Sequence, residues 1–462
     1  MLVHVTGHND PVRVATQMRG ATDLLWLDSA DRAHPAARYS YICFEPVSRL
    51  LYTETGVTID GQDQDGDAML ALRDWLAAFK APIDPDGPPF QGGAAGYLSY
   101  AFGAVCEPHF KSRHALAGPL AQFNMYDTLI AFDHLTDRVS VISAGLYGPN
   151  AAPDADLAAS RIGRVLARLA EPPVEAPSRP GRTNWQSQDT KPSYARTIEQ
   201  TKEFIRAGDI YQANIAQTYT TGATNAQDMF ANYLELREVS PAPFSAFGMF
   251  QGRTLASVSP ERLISGSDTG EVIAQPIKGT IRRSSDPVED ASLRGKLESS
   301  AKDRAENIMI VDLLRNDLSK VCKPHSVKTP SLCKLETFAG LHHLTSTVTG
   351  ELRDDQDSID LLAAVFPGGS ITGAPKLRAM QIIDELETSA RGAFCGSLGY
   401  IGFDGALDFN ILIRTIDHQV HRSSLKAGAG ITLLSDPETE YDETVLKIAK
   451  LGVRSGETEE TS

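Results

Sequence analysis

Cysteine is sparse in this chain. Its five copies among 462 residues, Cys43, Cys106, Cys322, Cys333 and Cys395, form no CxxC pair, which excludes a disulfide framework and a thiolate zinc site. No apolar run approaches the roughly 18 residues that span a bilayer, and the opening MLVHVTGHNDPVRV has no apolar core of a secretory leader. A cytoplasmic protein without membrane contact is the expectation. Positive charge is also in deficit. Lys and Arg number 44 against 59 Asp and Glu, a net charge of −15, so nucleic acid and anionic membranes would be repelled and an anionic ligand needs a local basic pocket. What is present is an ordinary globular composition, 42% hydrophobic and 22% charged, long enough for roughly three domains of about 150 residues or one large intertwined fold.

The segment PIDPDGPP (82–89) reads as a loop, and GGAAGYLSYAFG (92–103) after it as a tightly packed strand and turn. Residues 148–191 concentrate proline and small polar residues around a helix-like RIGRVLARLA, which marks a linker. It separates an N-terminal region, 1–147, from a C-terminal region, 192–455. There, PSYARTIEQTKEFIRAGD (192–209) carries apolar residues at helical spacing, and IYQANIAQTYT reads as a strand. Further on, strand-like runs (TLASVSP, EVIAQPIKGT, SLGYIGF, FNILIRTI, SLKAGAGITLL) interleave with helical ones (291–321, 358–366, 375–388, 439–452) without regular βαβ alternation. This predicts an α+β fold in which large, mostly antiparallel β-sheets pack together with helices outside.

Two of those helices carry acidic residues three apart: Asp303 with Glu306, and Glu440 with Glu443. That spacing places each pair on one helix face. If the helices face one another, four oxygen-bearing side chains converge, the donor set Mg²⁺ takes together with water and substrate oxygen. Taken one pair at a time, the same residues read first as solvated helix faces, a reading weakened for Glu306, which adjoins the apolar turn IMIVDLL, where a carboxylate needs a partner.

The motifs GDIYQANIAQ, SPER, PIKGT, AENIMIVDLLRNDL, HHLTSTVTG, FPGGSITGAPKLRAMQIID, GYIGFDG, IRT, AGAGI and EYDETVLK stand in this order from about 192 to 453. In this combination the chain resembles the component I subunits of the aminodeoxychorismate synthases, within the superfamily that also holds the anthranilate, isochorismate and salicylate synthases. The resemblance implies a Mg²⁺-dependent enzyme that aminates chorismate at C4, a step toward 4-aminobenzoate and folate. It casts Glu306 and Glu443 as metal ligands, with Asp303 and Glu440 binding through water. Lys447 would pair with the ring carboxylate, and Arg414 with Gly430 would hold the enolpyruvyl carboxylate. Gly279, Thr280 and Ser370 would line the pocket, His343 would be the active-site histidine, and Glu261 would protonate the departing C4 hydroxyl. An ion pair with an arginine is the other reading of Glu261.

Chorismate is a dianion, so cations at both carboxylates suit a pocket inside an acidic protein. Hydroxide leaves poorly, and a protonated Glu261 would supply general-acid catalysis, commonly about 10²–10⁴-fold. Within the superfamily, Lys278 of PIKGT resembles the lysine of the aminodeoxychorismate branch, which implies that its neutral amine would add at C2 and expel the C4 hydroxyl, after which ammonia would add at C4 and expel the lysine. Simple pairing of Lys278 with a substrate carboxylate is the alternative. Gln212 stands where the isochorismate and salicylate enzymes carry a water-activating lysine, which counts against water as nucleophile. Phe394 stands where many relatives have Tyr or Trp, so a hydrogen bond to the enolpyruvyl side is missing. Asp28 and Ser29 in LDS, with Pro241 and Phe244 in SPAPF, resemble the region where relatives bind tryptophan. No cysteine sits in a glutaminase elbow, so a separate glutamine amidotransferase subunit is the expected partner as source of ammonia. Two competing expectations remain: anthranilate formation by amination at C2, and an inactive tryptophan-binding regulatory homologue.

Overall fold

A computed structural model describes residues 2–7, 9–115, 118–177, 184–337, 341–449 and 451. The end of the C-terminal region, 452–455, therefore lies outside the described residues, as do 178–183 of the linker-like segment. Two twelve-stranded sheets carry the fold, and the strand pairings along both are antiparallel. The expected α+β architecture is what the chain adopts.

The sheets meet face to face. Leu25, Tyr41, Leu129 and Leu255 of one pack on Tyr97, Tyr126, Leu398 and Tyr400 of the other. Helices cover the outer faces: 11–18, 155–170 and 226–239 share one core with the first sheet, while 301–319 and 358–365 share another with the second. Such layering buries one face of each sheet and one stripe of each helix. Segment 148–191 contains a sixteen-residue helix, Ala155–Ala170, capped by Asp154 and anchored through Ile162, Val165 and Leu169. Strands from both sides of it enter both sheets: Leu25–Asp28 pairs with Phe244–Phe250, and Gly93–Leu98 with Ser397–Gly402.

Six elements position the site: β1 (Gln212–Gly222), β2 (Ile277–Arg282), α1 (Ala301–Ser319), β3 (Leu341–Glu351), β4 (Arg422–Ile431) and α2 (Pro437–Ala449). The expected single strand over 271–280 is two, Glu271–Ala274 and β2. Pro276 between them cannot donate to a ladder. The expected helix 291–321 is likewise two, Pro287–Glu298 and α1, because Ser300 accepts the Asp303 N–H as the N-cap of a new helix. β1 and β4 pair over ten residues, with Asn214 opposite Gly430 and Thr218 opposite Lys426.

Candidate active site

A cavity of about 150 Å³ opens where β1, β4 and the 370–371 and 394–395 loops converge, lined by Asn214, Glu261, Lys278, Ser370, Phe394, Arg414 and Lys447 among others. Six of the residues singled out from sequence thus share one chamber. Lys278 extends from β2 and its Nζ donates to the Ser370 carbonyl at 3.3 Å. Glu261 lies in the turn before Arg262–Gly266, almost fully buried. Burial pushes its carboxyl up, although Ser370, Lys278 and Arg414 pull it back. Arg414 holds a left-handed backbone, φ 51°, a strained conformation for a side chain of its size. Burial lowers its guanidinium against the pull of Glu261. Of the arginines that the alternative reading of Glu261 could pair it with, the neighbouring Arg262 is not the partner, since it grips Asp408 with two 2.8 Å hydrogen bonds.

Gly279 follows Lys278 with φ +82°, and a Cβ there would stand 2.9 Å from the Asp303 Cβ. Only glycine lets β2 and α1 approach so closely. Thr280 Oγ1 is 2.8 Å from His343 Nδ1 across the β2–β3 pair. His343 lies outside the walls of the chamber; burial, Arg414 and two neighbouring histidines hold it down to about 4, so near neutrality it is an uncharged imidazole. Gly430 leaves room for the Gln212 side chain, which a Cβ would strike, and Gln212 Oε1 is buried without a hydrogen bond.

The acidic residues of α1 and α2 do converge. Lys302 stands 4.0 Å from Glu306 and 3.9 Å from Glu440, while Lys447 binds Glu443 at 2.7 Å and the Gly428 carbonyl at 2.9 Å. Burial raises Glu306 and Glu440. It also pushes Glu443 up, but Lys447, Lys302 and Lys278 outweigh it and leave that carboxyl below its usual range. Asp303 is turned toward Ser300, whose Oγ donates to its Oδ2. Among the described residues no three acidic, histidine or cysteine side chains form a ready-made metal cage. The donors nevertheless suit a hard cation: all are carboxylate oxygens, and Glu306 Oε1 is buried with no hydrogen bond. Glu306 and Glu443 would hold such an ion, with substrate and water completing its coordination.

A separate cavity of about 570 Å³ between the sheets is lined by Asp28, Ser29, Pro243 and Phe244 among others. Pro241 is exposed outside it. Asp28 is fastened to Arg237 at 2.6 Å and Tyr233 at 2.8 Å, and Ser29 Oγ donates to the Tyr39 carbonyl at 2.6 Å.

Sequence reasoning missed Lys302, Asn214, Arg391 and Lys426. Arg391, buried behind Phe394 with its guanidinium 5.7 Å from that ring, is paired with Glu387. Lys426 is a lysine on the inward face of a strand, a signal visible in SLKAGAGI only once the strand's buried face is known.

Residues 24–452 match the profile described as chorismate binding enzyme. The chain is 39% identical to aminodeoxychorismate synthase component 1 of Salmonella typhimurium over 439 residues, 92% of this chain and 91% of that protein. It is 36% identical to anthranilate synthase component 1 of Geobacillus stearothermophilus over 464 residues, 96% and 90% of the two chains. Among solved structures, anthranilate synthase component I from Streptococcus pneumoniae aligns with a TM-score of 0.80 at 29% identity, covering 91% of this chain and 93% of that one. No helix among the described residues is long and apolar enough to cross a membrane.

Proposed function

From its membership of the chorismate binding enzyme family, a family match that spans residues 24–452, we propose that this chorismate-utilising enzyme aminates its substrate at C4 to give 4-amino-4-deoxychorismate. The observation that carries the reading is that Lys278, its Nζ on the Ser370 carbonyl, lines the same chamber as the buried Glu261. Arg414, Lys447 and Lys278 line one cavity, so cations are at hand there for the carboxylates of a dianion. The Lys278 amine, through its lone pair, forms a bond to C2 as the two conjugated ring double bonds each shift by one position and the C4–O bond breaks. Glu261, whose carboxyl burial pushes up, would deliver the proton with which the hydroxyl departs as water. Ammonia then bonds to C4, both double bonds shift back, the C2–N bond breaks, and the Glu261 carboxylate takes up the surplus proton. Mg²⁺ held by Glu306 and Glu443 would neutralise the ring carboxylate and fix its orientation. A separate glutaminase subunit supplies the ammonia, in keeping with the component 1 naming of the relatives.

The similarity to anthranilate synthases supports a rival product, and the two are separable by mass and fluorescence. The purified chain incubated with chorismate, Mg²⁺ and concentrated ammonium is expected to form 4-amino-4-deoxychorismate, with Lys278→Ala losing that activity. Anthranilate from the unaltered chain would refute the reading, and absence of any Mg²⁺-dependent turnover would favour a silent tryptophan-binding homologue.

A further inference from the structure

A second cavity, of about 500 Å³, lies beside the reaction chamber and shares one residue with it, Lys426. Its outer rim includes Gln188, Thr388 and Arg422, all exposed, and its inner end includes Thr218, Arg391 and Lys426, all buried. The β1–β4 pair forms a continuous floor beneath both spaces. Side chains alternate along a strand, so Ser424, Lys426, Gly428 and Gly430 share one face of β4, and their register partners Thr220, Thr218, Ala216 and Asn214 share the same face of β1. Ser424, Thr220 and Thr218 line the second cavity, while Asn214 and Gly428 line the reaction chamber. At about 3.3 Å per residue the strip from Ser424 to Gly430 runs some 20 Å.

The neck of this strip is polar but already satisfied. Lys426 Nζ rests on Thr218 Oγ1 at 2.7 Å, Ser389 Oγ at 2.8 Å and the Ser389 carbonyl at 3.4 Å. Arg253, also on the lining, pairs with Asp417 at 3.0 Å. Nothing at the neck therefore offers a vacant donor set to hold an anion such as chorismate. With Arg253 paired to Asp417 and Arg391 to Glu387, the charge left at the neck is that of Lys426, which disfavours a cation there relative to a small neutral molecule. Beyond the neck the next polar atom on the floor is Asn214 Oδ1, buried and without a hydrogen bond. An acceptor left in that state is costly unless something donates to it.

We infer that the second cavity is the inlet for the nitrogen nucleophile, which passes Lys426 as neutral ammonia and is received by the Asn214 amide oxygen, separate from the way chorismate enters. This rests on the amination reading above. Ammonia bonded to Asn214 through one N–H keeps its lone pair free for attack, and the acceptor orients it within the chamber that holds Lys278 and Glu261. Lys426 and Asn214 are thus positioning residues for the second substrate.

The test is steady-state kinetics with ammonium as nitrogen source at saturating chorismate, and then with chorismate varied at saturating ammonium. Ser424→Trp, which obstructs the inlet far from the reacting atoms, is expected to raise KM for ammonia by at least about tenfold while KM for chorismate stays as in the unaltered chain. Asn214→Leu is expected to raise KM for ammonia more than KM for chorismate. An unmoved ammonia KM in Ser424→Trp, or an equal rise in both constants in either variant, overturns the inlet while the unaltered chain still forms its aminated product. If the unaltered chain forms no aminated product from ammonium, the amination reading and the inlet both fall.

Discussion

Arg391 fastens the reaction chamber from behind, and its removal has a calculable consequence. Its Nε and Nη2 donate to Glu387 at 3.1 and 2.7 Å, Nη1 donates to the Ile371 carbonyl at 2.9 Å, and its guanidinium lies 4.7 Å over the Tyr100 ring. The two charged side chains are 2% and 5% exposed. Without the arginine, Glu387 keeps the Ala216 N–H at 3.0 Å and the more distant charge of Lys426 as its compensation. Stripping one partner from a buried pair costs about 3–5 kcal/mol, a large part of the roughly 5–15 kcal/mol that holds a typical protein folded. Arg391→Met should therefore lower unfolding free energy by about 3–5 kcal/mol, read as a drop in the urea midpoint. The double variant Arg391→Met with Glu387→Met removes the orphaned charge as well, and should regain about 2 kcal/mol of that loss. A double variant no more stable than the single one would refute the reasoning, because the cost would then not lie in an uncompensated buried carboxylate.

Acid sensitivity should arise in part from His418, which is buried with Nδ1 2.7 Å from Ser423 Oγ. Burial, partly offset by Asp417, lowers it from 6.5 to about 4. As pH falls below 6.5 the unfolded chain binds the proton first, so this histidine withdraws stability progressively down to about pH 4 and has no effect above 6.5. Urea midpoints taken from pH 7 to pH 4.5 should decline, and His418→Asn should flatten the decline. For the cation, Glu443→Gln should raise the Mg²⁺ concentration that half-saturates turnover by at least about tenfold, measured by titrating Mg²⁺ into chelator-treated enzyme; an unchanged midpoint would remove Glu443 from the metal site.

Short-range features were readable in the chain. Apolar residues at helical spacing over 192–209 anticipated the helix Lys191–Arg206, IYQANIAQTYT read as the strand it is, and the PIKGT and EYDETVLK motifs pointed to Lys278 and Glu443. What stayed hidden depends on distant partners. No local pattern tells that Leu25–Asp28 borders Phe244–Phe250, since a strand's own periodicity fixes its faces and not its neighbours. Lys426 escaped for a related reason. A lysine is ordinarily an exposed residue, and only the β1 register shows that it stands over Thr218 inside the protein. The role of Lys302 between Glu306 and Glu440 likewise depends on how two helices meet.

The weaving of both sheets from both ends of the chain also sets a timetable for biosynthesis. The strand Gly93–Leu98 gains one edge partner early, in Ala121–Tyr126, but its other edge waits for Ser397–Gly402. Those residues leave the ribosome about 300 positions later, roughly 15–60 s at ordinary elongation rates of about 5–20 residues per second. Throughout that interval the nascent chain presents an apolar, unpaired strand edge, the kind of surface that recruits chaperones or other unfinished chains. A premature stop anywhere before residue 397 should consequently yield an aggregating product and not a smaller working one, and separate expression of the two halves should succeed only when they are made together.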